Sequence, residues 1–283
     1  MPTVPPVPAP DSPESKQAAT SFGTDAERYD RTRPRYPRAV VDRVTGASSG
    51  PLDVLDVGCG TGIVARRFQA AGHRVLGVDP DARMAAVARR RGTAVEVATL
   101  ADWDPAGRTY DAVVAGQTWH WIDPVAGAAK AARVLRPGGR LAVFWNASRL
   151  PAGLAEAFAE VYRRTVPDSP FDLAAAATQG ADGYQALCDR AADGIREAGG
   201  FEAAGQWRDD WEWTCTKDAW LDMVPTQGAF TRLPAERLAP VLAGLGEAID
   251  AAGGTFTIRY ATQTVTAVRA DGAQVRRAQP PPL

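Results

Sequence analysis

Val54-Leu55-Asp56-Val57-Gly58-Cys59-Gly60-Thr61-Gly62 is an apolar run that breaks into three alternating glycines. The β-branched and apolar neighbours of Asp56 suit a strand buried on both faces, as parallel strands are. The glycines let the backbone pass close to a ligand where any Cβ would collide with it. Helical spacing follows from Ile63 to Ala71. A dinucleotide fingerprint would place glycine where this chain has Ile63; the spacing here is Gly-x-Gly-x-Gly, with Asp56 two residues before the first glycine. The next apolar strand, Arg74-Val75-Leu76-Gly77-Val78, ends in Asp79 about twenty residues on, where an acidic side chain can accept both hydroxyls of a ribose.

Outward from this pair, apolar runs alternate with helical patterns. Strands are predicted near 53–57, 74–79, 94–98, 110–115 and 140–146. Such alternation requires right-handed crossovers and a parallel sheet, with ligands at the carboxyl ends of the strands. After Asn146 the pattern changes. Residues 149–198 are Ala-rich and helical, with Pro167-Asp168-Ser169-Pro170 inside, too long for a plain strand-to-strand connection, and they predict a lid. Trp207 to Thr214 then alternates Trp with acidic residues, and Thr255 to Val268 alternates Thr with apolar ones, as an antiparallel pair closing the sheet edge would. The resulting division is a Pro-rich flexible tail at 1–20, a core at 21–148, a helical lid at 149–200, closing strands and helices at 201–270 and a second tail at 271–283.

Composition narrows the partners. The 283 residues, 45% of them hydrophobic, suffice for one large α/β core. Their 32 basic and 33 acidic side chains nearly cancel, which argues against nucleic acid as a partner. Cys59, Cys188 and Cys215 lie far apart without metal-ligand spacing and read as reduced thiols. No targeting segment and no run of eighteen apolar residues is present, so a soluble cytoplasmic protein is expected, without a membrane or metal and as a monomer or homodimer.

Four motifs in order, Leu55-Asp-Val-Gly-Cys-Gly-Thr-Gly62, Gly77-Val-Asp-Pro80, Tyr110-Asp-Ala-Val-Val-Ala115 and Arg133-Val-Leu-Arg-Pro-Gly-Gly-Arg-Leu141, resemble the class I S-adenosylmethionine-dependent methyltransferases. Asp25 to Pro37 and Gln117-Thr-Trp-His-Trp121 are similar to the trans-aconitate methyltransferase-like and natural-product branches. The resemblance implies an α/β, Rossmann-like, doubly wound and mostly parallel seven-stranded sheet with an antiparallel edge strand. It implies S-adenosylmethionine as cofactor. Gly58, Cys59, Gly60 and Gly62 would approach its methionine and ribose parts, with Asp56 ordering the loop or meeting the methionine ammonium. Asp79 would take the ribose, with Pro80 and Met84 beside it, and Thr99, Leu100 and Ala101 would flank the adenine. Relatives often carry an acidic residue where this chain has Ala101, so backbone carbonyls or Asp102 would meet the adenine amino group. Gly116 and Gln117 would run along the methionine end; Tyr29 would border the donor methyl and Arg33 pair with the methionine carboxylate through two parallel hydrogen bonds.

A sulfonium methyl is already electrophilic, so the protein has to align the donor with a nucleophile, exclude water and, for some acceptors, remove a proton. Trp119, His120, Trp121 and Trp145 are the expected acceptor-side residues. His120 titrates near neutrality when unperturbed and suits a general base, with Tyr29 as the next candidate; the alternative is a histidine packed between two tryptophans. His73 precedes a strand in a surface turn and reads as structural. If three or more tryptophans reach the pocket, a planar aromatic or heteroaromatic natural product is favoured, an indole-like ring methylated at carbon being the most concrete form. The competing acceptor is a carboxylic acid, O-methylated as in the trans-aconitate type, with Arg149, Arg163, Arg164 and Arg232 available to hold it. Ala115-Gly-Gln-Thr-Trp-His120 lacks the Asn/Asp-Pro-Pro-Tyr/Phe set of enzymes that methylate base or glutamine amines. Outside catalysis stands a protein that binds S-adenosylmethionine without turning it over.

Overall fold

A computed structural model of the chain describes residues 19–46, 48, 50–168 and 182–271. The two expected tails therefore lie almost wholly outside the described residues. Five strands follow the apolar runs: β1 (Asp53–Val57), β2 (Arg74–Asp79), β3 (Ala94–Val97), β4 (Tyr110–Gly116) and β5 (Leu135–Arg149). With β6 (Gly205–Thr216) and β7 (Thr255–Val268) they form one seven-stranded sheet in the order β3-β2-β1-β4-β5-β7-β6. The β3-β2-β1-β4-β5 portion pairs in parallel, and the sheet is mixed, with one antiparallel edge. The helices are α1 (Ala26–Thr32), α2 (Arg38–Thr45), α3 (Ile63–Ala70), α4 (Ala82–Arg90), α5 (Pro124–Val134), α6 (Ala152–Thr165), α7 (Gln185–Ala198), α8 (Lys217–Met223) and α9 (Ala235–Ala251).

Local chemistry sets the boundaries. The Asp81 carboxylate accepts the Arg83 N–H to start α4, and Asp123 accepts the N–H groups of Val125 and Ala126 ahead of Pro124 at the first position of α5. β5 begins five residues before its expected start at 140. Tyr110 pairs with Leu135 and Ala112 with Arg140, so Arg136-Pro-Gly-Gly139 is an irregularity inside the strand.

The chain divides into two compact units. One takes Arg35–Trp145, Leu187–Asp209 and the described residues from Gln263 on. Its sheet centre is sealed by Val54, Leu55, Val113, Val114, Leu141 and Phe144, all fully buried. The other takes the described residues up to Pro34, those of Asn146–Ala186, and Asp210–Thr262. Its core gathers Leu154, Phe158, Trp220, Leu245, Ile249 and Ile258, with Phe158 stacked on Trp220 at 5.5 Å. The segment read as one lid is shared out between these cores. In α6, Val161 packs where a Cβ on Gly244 of α9 would come within 2.7 Å of its Cγ1. In α7, Gly194 abuts Pro124, whose Cβ would lie 2.5 Å from an added Cβ. Helical periodicity showed that each helix buries a face, not which core receives it.

Candidate functional site

β1 pairs with β2 on one side and with β4 on the other, so the strand order reverses between β1 and β4, where an open α/β sheet binds ligands at its carboxyl ends. The loop leaving β1 is held by the end of β2. The N–H groups of Gly58 and Cys59 donate to the Val78 carbonyl at 2.8 and 3.2 Å. Asp79 finishes the attachment: one oxygen accepts the Gly60 N–H at 2.8 Å, the other the Asp81 N–H at 2.9 Å. Burial raises the Asp79 carboxyl to about 6, and the two N–H groups act against that rise.

Gly58, Gly60 and Gly62 have φ of 61°, 54° and 83°, the left-handed region costly for residues with a Cβ. At Gly58 a Cβ would also stand 2.2 Å from the Thr118 hydroxyl oxygen. That glycine therefore makes room for Thr118, a residue the sequence reading passed over because a threonine between Gln117 and Trp119 carries no pattern signal. Gly72 has φ of 91° with nothing within 4 Å of an added Cβ. Gly72→Ala is thus expected to cost about 1–2 kcal/mol for backbone alone, and Gly58→Ala a further ~1–3 kcal/mol for the clash. Urea denaturation of both variants measures the difference, and equal losses would show that Thr118 moves away freely.

Asp56, one residue before the end of β1, is 0% exposed, and neither carboxylate oxygen has a hydrogen-bond partner. Burial pushes it up to about 8 and the Asp79 charge adds to the rise, while the Ala65 N–H in α3, near the carboxyl but outside hydrogen-bond geometry, pulls the other way. A buried carboxyl left without partners is expensive and marks a place where a ligand group completes the set. Cys59 turns its thiol away from the loop's ligand side, into a patch with Ala85, Ala88 and Val95, and Gly77 is glycine because a Cβ would meet that sulfur at 2.5 Å. Of the Cys59 contact expected from sequence, only the backbone remains available. The Met84 methyl lies 3.3 Å from where a Gly60 Cβ would be, and Pro80 is exposed. Thr99 and Asp102 close a turn on each other, hydroxyl to carboxylate at 2.8 Å, while Leu100 is buried and the exposed Ala101 offers its carbonyl to Lys130 at 3.3 Å.

β4 ends at Gly116, packed so tightly that a Cβ would fall within 2.9 Å of Val64, Phe144 and Tyr36. Gln117 follows with φ of 58°, an uncommon conformation for a non-glycine, held by its N–H donating to the Phe144 carbonyl at 2.8 Å. A short turn, Trp119–Trp121, comes next. Trp119 is 2% exposed, its ring against Gly127 of α5 and its indole nitrogen without a partner. Trp145 is 1% exposed and donates its indole N–H to Nδ1 of His120 at 3.2 Å. Trp121, half-buried, holds its ring 4.6 Å from the His120 ring. Of the three tryptophans expected on the acceptor side, Trp119 and Trp145 are thus buried and Trp121 is half-buried. Burial lowers His120 to about 3, with Arg190 adding to the effect.

Tyr29 and Arg33 belong to the other unit. The Arg33 guanidinium lies 4.7 Å over the Tyr29 ring and 5.9 Å over Phe22, and donates to the Thr226 carbonyl. Its Nε has no partner, and among the described residues no carboxylate pairs with it. Arg31 pairs with Asp222 at 2.9 Å. His73, as expected, has a structural part, accepting the Leu52 N–H at 3.1 Å. Among the described residues no cluster suited to a metal ion is found.

This geometry agrees with the known proteins the chain resembles. Residues 55–143 match the methyltransferase domain family. An uncharacterized methyltransferase of Mycobacterium tuberculosis is 36% identical over 157 residues, 53% of this chain and 61% of its own. The malonyl-[acyl-carrier protein] O-methyltransferase of Hahella chejuensis is 32% identical over 143 residues, 45% of this chain and 49% of its own. The chain thus spans about six-tenths or less of these curated relatives. A solved structure described as a type II methyltransferase from Anaeromyxobacter dehalogenans shares the fold, with a TM-score of 0.58 and 24% identity over 83% of this chain and 97% of that one. Over residues 55–143 the chain is thus similar to the methyltransferase domain, and its sheet has the fold of S-adenosylmethionine-dependent methyltransferases. The residues present fit that cofactor: a glycine cradle at a strand end, Asp79 with lone pairs to spare, and the unpartnered Asp56 carboxyl to receive an ammonium.

Proposed function

We propose that this protein transfers the methyl group of S-adenosylmethionine to a small molecule. The observation that carries the reading is the orphaned Asp56 carboxyl beneath the loop that Asp79 fastens. When bound, the cofactor supplies an electrophilic methyl on a good leaving group. Backbone from Gly58 to Gly62 lies along it, Asp56 takes the ammonium, and Asp79 accepts the ribose hydroxyls. Approach of the acceptor in line with the methyl, under exclusion of water, completes the chemistry.

For the acceptor, the half-buried Trp121 beside His120 supports a planar aromatic or indole-like ring methylated at carbon. A carboxylic acid, methylated at oxygen, is favoured by the burial of Trp119 and Trp145, which removes the aromatic lining, and by the similarity to a malonyl-[acyl-carrier protein] O-methyltransferase. We place the reaction in the cytoplasm; no helix among the described residues is long and apolar enough to cross a membrane. The test is calorimetric binding of S-adenosylhomocysteine, followed by transfer of isotope-labelled methyl to separate pools of aromatic and carboxylic acid acceptors. Binding with transfer to one pool is expected. Binding without transfer to either would leave the non-catalytic reading, and no binding would overturn both.

A further inference from the structure

We propose that His120 serves the methyl-transfer site as a hydrogen-bond donor through Nε2–H, its tautomer fixed by Trp145, so that the acceptor must present a lone pair there, as an anionic oxygen does. The inference rests on the methyltransferase reading above. An indole N–H can only donate, so Nδ1 of His120, 3.2 Å from it, must offer its lone pair. A neutral imidazole has one bare nitrogen and one N–H, which puts the hydrogen on Nε2. Nε2 makes no hydrogen bond among the described residues, and His120 is only half-buried. A proton added at Nδ1 would point at the Trp145 N–H and break that bond, and Trp145, sealed in the core, has no other partner among the described residues. The Trp121 ring beside the imidazole further limits its rotation. Thr118, two residues before His120, crosses over Gly58, so this turn lies at the cofactor loop.

The general-base expectation for His120 is replaced on this geometry: the only basic lone pair of the ring is engaged, and the free nitrogen gives a hydrogen bond where a base would have to accept one. A neutral indole N–H or a hydroxyl held through its own proton would place donor against donor. A carboxylate needs no base. Its oxygen forms the new O–CH3 bond as the S–CH3 bond breaks, the sulfonium becoming a neutral thioether and the carboxylate a neutral ester, with no proton gained or lost. Trp145 is then a positioning residue, acting through His120.

The experiment is two-bond hydrogen–nitrogen correlation spectroscopy on the full chain with 15N-labelled histidine, without ligand, assigned with a His120→Gln variant. Wild-type protein should show a protonated Nε2 and a bare Nδ1 for His120 at pH 7. In Trp145→Phe that signature should give way to mixed tautomers. A wild-type His120 protonated on Nδ1 or on both nitrogens, or a signature unchanged in Trp145→Phe, would overturn the proposal, and neither depends on turnover. Should Trp145→Phe fail to fold, His120 variants decide. Gln keeps an N–H near the position of Nε2, and Ala does not. With carboxylic acid acceptor, His120→Ala should lose about 10- to 150-fold in kcat/KM, carried mainly by KM because the donor holds the charged acceptor oxygen, and His120→Gln should lose several-fold less. Equal losses would sink the donor role, while absent S-adenosylhomocysteine binding in the wild type would sink the methyltransferase reading and leave the tautomer standing.

Discussion

Asp56→Asn should make the ligand-free protein more stable at pH 8 and its grip on the cofactor weaker. The Asp56 carboxyl has a folded-state pKa raised from 3.8 to about 8, so between those values the folded protein keeps a proton that the unfolded chain releases. Stability therefore falls as pH rises through this window. Each unit is worth about 1.4 kcal/mol, so across the window the destabilisation grows to several kcal/mol, on the order of 5 at its far end. Asparagine keeps the shape and removes the titration. Urea midpoints should diverge steadily from pH 4 to pH 8, with the variant the more stable. The same substitution deletes the group proposed for the cofactor ammonium, and affinity for S-adenosylhomocysteine should drop by about 1.5–3 kcal/mol, the range for hydrogen bonds to charged groups. In the wild type, binding at pH 7 should release a proton, because an ammonium beside the carboxyl lowers its pKa; calorimetry in buffers of different ionisation heat detects this. Midpoints that coincide at pH 8 would show that Asp56 is ionised and solvated without ligand, and unchanged affinity would remove it from the site.

How far such a site can be read from sequence depends on whether the signal lies in backbone or in side-chain direction. The loop after β1 was legible because positive φ at Gly58, Gly60 and Gly62 demands glycine, and Asp79 because a strand end at that interval fixes its place. What faces those glycines was not legible. Gly58 clears Thr118, and Gly77 clears the Cys59 thiol, both contacts between segments distant in sequence or on opposite sides of a loop. Trp145 defeated prediction for a related reason. In β5 both Phe144 and Trp145 are buried, so the two-residue alternation that tells inward from outward on a half-exposed strand is missing. Trp119 leans on Gly127, and only the position of α5 reveals that. The bonds that matter most to the chemistry, Trp145 to His120 and Asp79 to Gly60, join residues whose types were noticed singly.

Asp79→Ala is expected to cost more cofactor affinity than a lost ribose contact alone. Each Asp79 oxygen already accepts one backbone N–H, from Gly60 and from Asp81, and each keeps a lone pair for a ribose hydroxyl. Removing the carboxylate deletes the ligand contacts, about 1.5–3 kcal/mol or roughly 10- to 150-fold in Kd, and also frees the Gly60 N–H that fixes the loop. Asp79→Asn keeps one acceptor oxygen and loses the charge, so Kd should worsen in the order wild type, Asn, Ala. The acid side tests the same group independently. Burial raises the Asp79 carboxyl from 3.8 to about 6, so it is the charged acceptor above pH 6 and becomes protonated below. Wild-type affinity for S-adenosylhomocysteine should therefore weaken as pH falls through about 6, and in Asp79→Asn that step should be absent. Calorimetric titrations from pH 5 to pH 8 on variants shown by circular dichroism to be folded provide both readings. A folded Asp79→Ala protein with wild-type affinity, or an Asn variant retaining the acid step, would place the ribose elsewhere and leave Asp79 only its bond to the loop.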